Sequence, residues 1–289
     1  MLFLKLININ ILMNQTTGKN RNTIDKYYTK TDISQVCIDN FIKYISPTKD
    51  SLIIEPSAGN GSFYKILREE YNIIGYDIEP EHTDIIKQDF LKLELSDKKV
   101  DYIGNPPFGR QSSIAKKFIK RCCEDANSIS FILPKSFKKQ SMNKSFSLNF
   151  HLIFEEDLSE NSFVINGDVE RDVPCVFQIW KRMDNKRELE KKIMPVNFKY
   201  VKKTETPDFS IRRVGVYAGK ISIDIDNKSP QSHYYIKLND DIDDTQFIET
   251  YNTIIFEHNN TVGPKSICKN ELNRKINELK LINKIKIKP

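Results

Sequence analysis

No apolar run in the chain is long enough to cross a bilayer. The longest, MLFLKLININILM at residues 1–13, is broken by Lys5 and by asparagines. It falls short of the roughly 20 apolar residues that a spanning helix needs. No small-residue cleavage site follows it, since the chain continues NQTTGKNRNTIDK; it makes a poor signal peptide, and Met13 serves equally well as a start. Cysteine is scarce and unpatterned. Cys37, Cys122, Cys123, Cys175 and Cys268 are odd in number, show no CxxC spacing, and share the chain with only 4 histidines. A disulfide framework and a zinc site are therefore not expected; reduced thiols in an intracellular, reducing compartment are. Charge of one sign is not in large excess either. The 45 Lys and Arg stand against 39 Asp and Glu, a formal +6, which permits a nucleic-acid partner without demanding one.

What is present describes a soluble globular chain of 289 residues, 39% hydrophobic and 29% charged, long enough for one large domain and a smaller one. Between Ser51 and Trp180, short β-rich runs alternate with helical patterns. The runs are SLIIEP, NIIGYDI, DIIKQDF, VDYIGN, SISFILP, HLIFEEDL and PCVFQIW; GSFYKILREEY and SSIAKKFIKRCCEDA carry apolar residues at helical spacing. That alternation predicts an α/β fold with a mostly parallel sheet. No strong helix separates the last two runs, so an antiparallel final strand at the sheet edge is expected. A leading helix, TDISQVCIDNFIKYI, would place Ile33, Val36, Cys37, Phe41 and Ile45 on one face, with Asp32 as its cap. After the charged connector KRMDNKRELEKK, the chain turns rich in strands and turns. The division expected is an N-terminal extension at 1–24, a main domain at 25–183 and a smaller α+β domain at 195–289.

Chemistry-bearing residues fall at the ends of successive strands. The first ends in EPSAGNG, where Gly59 and Gly61 allow a tight strand-to-helix turn that a ligand can approach closely, and Glu55 supplies a carboxylate. Such a turn can also be purely structural. The second ends at Asp77, followed by Ile78; a carboxylate there suits two adjacent ribose hydroxyls, or it is an ordinary strand-end acid. In KQDF, Asp89 can accept from an exocyclic amine and Phe90 can lie on a base, or the pair is a loop acid and a core aromatic. The fourth strand runs into DYIGNPPFG. Its two prolines hold Asn105, Pro106 and Pro107 extended and stiff, which fixes an amide, backbone carbonyls and the Phe108 ring in one geometry.

Taken in that order, these motifs resemble the class I S-adenosylmethionine-dependent methyltransferases, in the amino-methyltransferase branch marked by Asn-Pro-Pro-Phe. The resemblance covers YYTK to about Trp180. It implies a Rossmann-like fold, with a mostly parallel seven-stranded sheet and an antiparallel edge strand, for 25–183 as the catalytic domain. It also implies S-adenosyl-L-methionine as cofactor, S-adenosyl-L-homocysteine as product, and no metal. Glu55, Pro56, Ser57, Ala58, Gly59 and Gly61 would cradle the methionine portion, Asp77 and Ile78 the ribose end, and Asp89 and Phe90 the adenine. Tyr27, Tyr28 and Thr29 match an N-terminal cofactor-binding element of many bacterial adenine methyltransferases, and read otherwise as a surface aromatic pair before a helix.

In that setting Asn105, Pro106, Pro107 and Phe108 form the catalytic loop. A nucleobase amine is a weak nucleophile because its lone pair is delocalised. If the Asn105 side-chain oxygen and the Pro106 carbonyl accept its N–H bonds, the nitrogen can turn tetrahedral as it attacks the methyl carbon. Phe108 would stack the flipped base, and Gly109 would leave access. Cytosine C5 chemistry would need a reactive cysteine, and Cys175 reads as a buried small residue. The expected reaction is methyl transfer to adenine N6 in nucleic acid, DNA in preference to RNA. An RNA methyltransferase acting on adenine N6 or guanine N2, and a catalytically silent nucleic-acid-binding subunit, are the alternatives. Arg110, Lys116, Lys117, Lys120 and Arg121, with Lys135, Lys138 and Lys139, would neutralise phosphates on the rim, unless they simply form a solvated face. In the second domain Arg212, Arg213 and Lys220 could add contacts, and Tyr234 and Tyr235 could stack. Monomer and homodimer are both compatible with the sequence, and no membrane association is expected.

Overall fold

The computed structural model describes residues 27–94, 99–165, 169–189, 191–256 and 265–279. The N-terminal extension at 1–24, with Met13, and the basic end of the C-terminal tail lie outside them. In chain order the first part contains β1 (Tyr28–Thr29), α1 (Thr31–Ile45), β2 (Leu52–Glu55), α2 (Tyr64–Leu67), β3 (Asn72–Asp77), β4 (Ile86–Lys87) and β5 (Val100–Gly104). There follow α3 (Ser113–Asp125), β6 (Ala126–Pro134), β7 (Phe150–Asp157), β8 (Phe163–Ile165), β9 (Val169–Arg171) and β10 (Cys175–Arg182). Seven of these strands form one sheet in the order β4-β3-β2-β5-β6-β10-β7. The pairs among β2, β3, β4, β5 and β6 are parallel, and β10 runs antiparallel to both β6 and β7. This is a Rossmann-like arrangement, with the mostly parallel seven-stranded sheet expected above.

Side chains on the central strands alternate between two cores, as the pleat requires. Ile54, Tyr102, Phe131, Leu133, Val176 and Trp180 enter one, against Ala115, Phe118, Ile119 and Cys122 of α3. Ile53, Ile103, Ile132, Phe177 and Ile179 enter the other, against Cys37, Ile38 and Phe41 of α1 and Tyr64 and Leu67 of α2. The sheet is therefore covered on both faces, and its strand ends are left at the rims.

Several expectations need correcting. The antiparallel strand is not at the edge: β10 lies between β6 and β7, and β7 is outermost. Cys175–Trp180 are all buried, which an edge cannot provide, whereas β7 carries Glu155, Glu156 and Asp157 and is mostly part-exposed. On α1 the buried face is Ser34, Cys37, Ile38 and Phe41, while Val36 is 48% exposed. Asp32 sits within the first turn, and the cap position is Lys30 with no side-chain cap bond. A second sheet, in the order β1-β8-β9, is absent from the sequence reading: Tyr28 pairs with Val164 and Thr29 with Phe163, and Lys30 N–H donates to Ser162 O at 3.1 Å.

Past residue 195 the chain builds β11 (Phe198–Val201), β12 (Phe209–Arg212), β13 (Ile221–Ser222), β14 (His233–Leu238), α4 (Asp244–Tyr251) and α5 (Lys269–Asn277). The strands form an antiparallel sheet, β11-β14-β12-β13. It has its own core, in which Phe209, Ile211 and Ile236 meet Phe247, Tyr251, Leu272 and Ile276. Asp243 caps α4 by accepting from Gln246 N–H at 2.8 Å.

Candidate cofactor and target site

Glu55, Asp77 and Asn105 stand at the carboxyl ends of three neighbouring parallel strands, β2, β3 and β5. Chain direction across the sheet reverses at β2, the position where ligands bind in open α/β sheets. Glu55 is 2% exposed, and its Oε2 accepts from Tyr64 N–H at 2.8 Å. Burial holds its carboxyl well above the usual carboxylate range, against the backbone donors of Tyr64 and Phe63. Glu55 therefore holds the first turn of α2 in place rather than offering an open charge to a ligand.

The glycine turn is locked to the next strand end. Ala58 N–H donates to Tyr76 O at 2.9 Å, Gly59 N–H to Asp77 Oδ2 at 2.8 Å, and Glu81 N–H to Gly59 O at 2.9 Å. Glu79 N–H donates to Asp77 Oδ1 at 2.8 Å. Each carboxylate oxygen of Asp77 thus has one amide partner and keeps acceptor capacity for a hydroxyl. Beside it Ile78 is 56% exposed, an apolar surface at a strand end that suits a planar ring. Gly59 has φ +52, and a Cβ there would come within 3.1 Å of the Tyr28 ring. Tyr28 also donates its hydroxyl to Glu81. Tyr28 therefore braces the turn, and Glu81, which no sequence signal marked, completes the brace.

Asn105 is fixed from the same side. Its Nδ2 donates to Thr29 Oγ1 at 3.2 Å and reaches Tyr27 O at 3.5 Å, while its backbone O accepts from Ser57 Oγ at 3.2 Å. A carbonyl only accepts, so Tyr27 O assigns the nitrogen to this side. The side-chain oxygen remains as the acceptor for another group's N–H. Pro106 is buried and Pro107 exposed. Phe108 is half-buried, packed against both cores, and its carbonyl accepts from Ile114 and Ala115 N–H at 3.1 and 3.3 Å. Gly109 does not open a passage. A Cβ there would lie 2.5 Å from Ile114 Cγ1, so the glycine, at φ +68, lets the loop close onto α3.

Phe90 lies in the core. It is 2% exposed, stacked on Phe118 at 5.6 Å between ring centroids, edge-on to Tyr102 at 5.5 Å, with the Arg121 guanidinium 5.7 Å from its ring. Asp89 caps the short turn at Phe90–Lys92, accepting from Leu91 N–H at 3.1 Å, and its other oxygen lies 3.6 Å from Lys92 Nζ. The alternative core-and-cap reading of KQDF holds for these side chains.

The expected phosphate rim is reduced. Lys135 pairs with Asp157 at 2.7 Å, and Lys138 with Asp157 at 2.8 Å and Glu155 at 3.8 Å. Lys139 Nζ donates to Ser266 O and Oγ at 2.9 and 3.0 Å, and Arg121 pairs with Glu124 at 3.3 Å. Arg110, Lys117 and Lys120 stay exposed, with no ion pair among the described residues. Tyr235 is 4% exposed and cannot stack a base. Cys175 and Cys122 are buried, and burial pushes both thiols up, away from the nucleophilic thiolate. A cavity of about 410 Å³ flanks the glycine turn, lined by Thr29, Lys30, Asn60, Gly61, Ser62 and Lys65 among others, and it includes none of Asp77, Asp89 or Asn105. No helix among the described residues is long and apolar enough to cross a membrane, and no metal-ligating cluster occurs among them.

No protein-family model matches the chain, and no curated protein matches it. Solved structures do. The 23S rRNA methyltransferase ErmE aligns at 16% identity over 55% of this chain and 70% of its own, with a TM-score of 0.41. A structure described as the modification subunit of a type I restriction enzyme from Vibrio vulnificus aligns at 12% identity over 96% of this chain and 66% of its own, at 0.44. Magnesium protoporphyrin IX methyltransferase from Synechocystis, solved with bound cofactor, aligns at 12% identity over 61% of this chain and 96% of its own, at 0.38. Likenesses this distant add nothing to the strand order already described, and it is that order, β4-β3-β2-β5-β6-β10-β7, that carries the Rossmann-like fold.

Proposed function

We propose that the chain is an S-adenosylmethionine-dependent methyltransferase that acts on the exocyclic N6 amine of adenine in nucleic acid, with DNA as the polymer. The observation that carries this reading is the pinned amide of Asn105, set between two stiff prolines and β5, with its nitrogen held by Thr29 and Tyr27. The residues at the adjoining strand ends fit the cofactor: Asp77 has acceptor capacity for ribose hydroxyls, and Ile78 is an exposed apolar face beside it.

When bound, S-adenosylmethionine supplies a methyl group on a positively charged sulfur. The chain's own contribution is positioning. The Asn105 side-chain oxygen accepts one amine N–H and the Pro106 carbonyl the other, which favours the nitrogen as it loses conjugation with the ring. A new N–C bond forms as the S–C bond breaks, and the amine proton is lost to solvent. Phe108 offers the partly exposed side of its ring to the planar target. Such positioning is worth about 7 to 11 kcal/mol on the effective-molarity scale. With Cys122 and Cys175 buried, this route needs no covalent intermediate on either of them.

The test is incubation with tritiated cofactor and DNA or RNA, followed by identification of the labelled nucleoside by mass spectrometry. N6-methyladenine in DNA is the expected product. Label confined to RNA, or found on guanine, refutes the assignment of polymer or base. Calorimetric titration with S-adenosylhomocysteine checks cofactor binding separately, and no binding refutes the enzyme.

A further inference from the structure

A second cavity, of about 450 Å³, lies in the C-terminal region, far in sequence from the motifs above. Its volume falls within the roughly 300 to 1,000 Å³ typical of ligand sites. Tyr200, Tyr234, His233, Lys202, Lys203 and Lys269 are among the residues that line it, and none of the lining residues is acidic. The two tyrosine rings meet edge to face with centroids 5.5 Å apart. Lys269 Nζ lies 4.1 Å from the Tyr200 centroid and 5.8 Å from that of Tyr234.

The charge here is largely uncompensated. Among the described residues Lys202 and Lys269 make no ion pair, and Lys203 Nζ donates to the carbonyls of Asp226 and Lys228 rather than to a carboxylate. Glu205 is engaged by the Lys202 backbone, accepting from its N–H at 2.5 Å, and Glu271 is half-buried, with its carboxyl raised above its usual range by that burial. Tyrosine edges and faces beside ammonium groups are the chemistry that holds a base and its phosphate together. An acidic peptide would use the lysines and leave the rings unmatched, and a base within a duplex keeps its faces stacked on its neighbours.

The cavity is also tied to the sheet rim. Tyr234 donates its hydroxyl to Ile267 O at 3.1 Å, and the preceding residue, Ser266, receives both hydrogen bonds of Lys139 Nζ. Lys139 follows the carboxyl end of β6, the strand next to β5 and its Asn-Pro-Pro-Phe loop. We infer that this cavity is a binding site for an unpaired nucleotide of a nucleic-acid strand, flanking the target base. The inference rests on the nucleic-acid reading of the active site.

The experiment is fluorescence anisotropy of the full chain with labelled single-stranded 12-mers of DNA and RNA, and with the duplex of the same sequence. Wild type and the exposed-lysine double variant Lys202→Ala, Lys269→Ala are compared across salt concentrations. The expected result is tighter binding of single strands than of duplex. In the variant, affinity should fall at least about tenfold and the log–log salt slope should drop by about 1.4, two phosphate contacts at about 0.7 each on single strands. Unchanged affinity and slope in the variant, preference for duplex, or no strand binding by wild type would each overturn the inference. The DNA and RNA arms identify which polymer is held. Binding of S-adenosylhomocysteine, measured on the same two proteins, should be equal; its absence in both counts against the methyltransferase reading alone and leaves the strand result standing.

Discussion

Replacing Asn105 with alanine removes two separable things. It deletes the side-chain oxygen assigned to the target amine, and it deletes the Nδ2 bond of 3.2 Å to Thr29 and the longer one of 3.5 Å to Tyr27. The structural loss is modest. One good hydrogen bond is worth about 0.5 to 1.5 kcal/mol net, and the 3.5 Å contact adds little. The loop itself stays anchored, because the Asn105 carbonyl keeps its bond from Ser57 Oγ at 3.2 Å and the prolines keep their rigidity. The catalytic loss is larger, since removing one preorganised hydrogen-bonding group that acts in the transition state costs about 10² to 10³ in rate. Single-turnover methyl transfer to an adenine-containing oligonucleotide should therefore fall by that factor, while calorimetric affinity for S-adenosylhomocysteine changes little. Thr29→Val is the companion variant: it keeps the Asn105 oxygen but removes the stronger partner of Nδ2. A loss of about 1 kcal/mol in amide orientation predicts a rate drop near fivefold. Asn105→Ala within twofold of wild type, or Thr29→Val as damaged as Asn105→Ala, would refute the pinned-amide reasoning.

Three other substitutions probe the surrounding geometry. Gly59→Ala meets both φ +52 and a Tyr28 ring carbon 3.1 Å from the new Cβ; it should cost about 1 kcal/mol or more in stability by denaturant titration and weaken cofactor binding, whereas Gly61→Ala, with its nearest contact at 3.4 Å, should disturb the Tyr28 brace less. Because burial raises the folded-state value of Glu55, the native chain holds this proton where the unfolded chain has released it; the stability it contributes is full below the unfolded carboxyl range and is lost as pH rises through the folded value. Glu55→Gln should flatten that decline in melting temperature against pH, and an unchanged slope would argue that the carboxyl is ionised in the native chain. Phe108→Ala should lose stability through its contacts with both cores as well as target affinity, about 1 to 3 kcal/mol for the stacked base. Phe108→Leu should recover most of the stability in thermal melts and little of the target binding.

The strand runs from SLIIEP to PCVFQIW could be recognised because each strand's apolar pattern is a local property, visible within a few residues. The turn at Gly59 and the stiff loop at Asn105 were recognisable for the same reason: glycine and proline constrain their own backbones wherever they stand. Partners distant in sequence were not recognisable. Nothing near Lys135 and Lys138 shows that Asp157 and Glu155 will meet them across the rim. Nor does KQDF show that Phe118 and Tyr102 will enclose the Phe90 ring, since a core aromatic and a ligand-stacking aromatic are the same residue type.

By itself, then, the sequence determined the class of fold, the order of the strand ends and where the stiff and tight turns fall along them, because periodicity and backbone restriction are written residue by residue. Tertiary structure decided where β10 sits, since only the assembled sheet has interior and edge positions for a strand buried on both faces to choose between. It also decided which way Asn105 points, because the groups that hold its amide, Thr29 and the Tyr27 carbonyl, lie 76 and 78 residues away and arrive only when β1 pairs with β8.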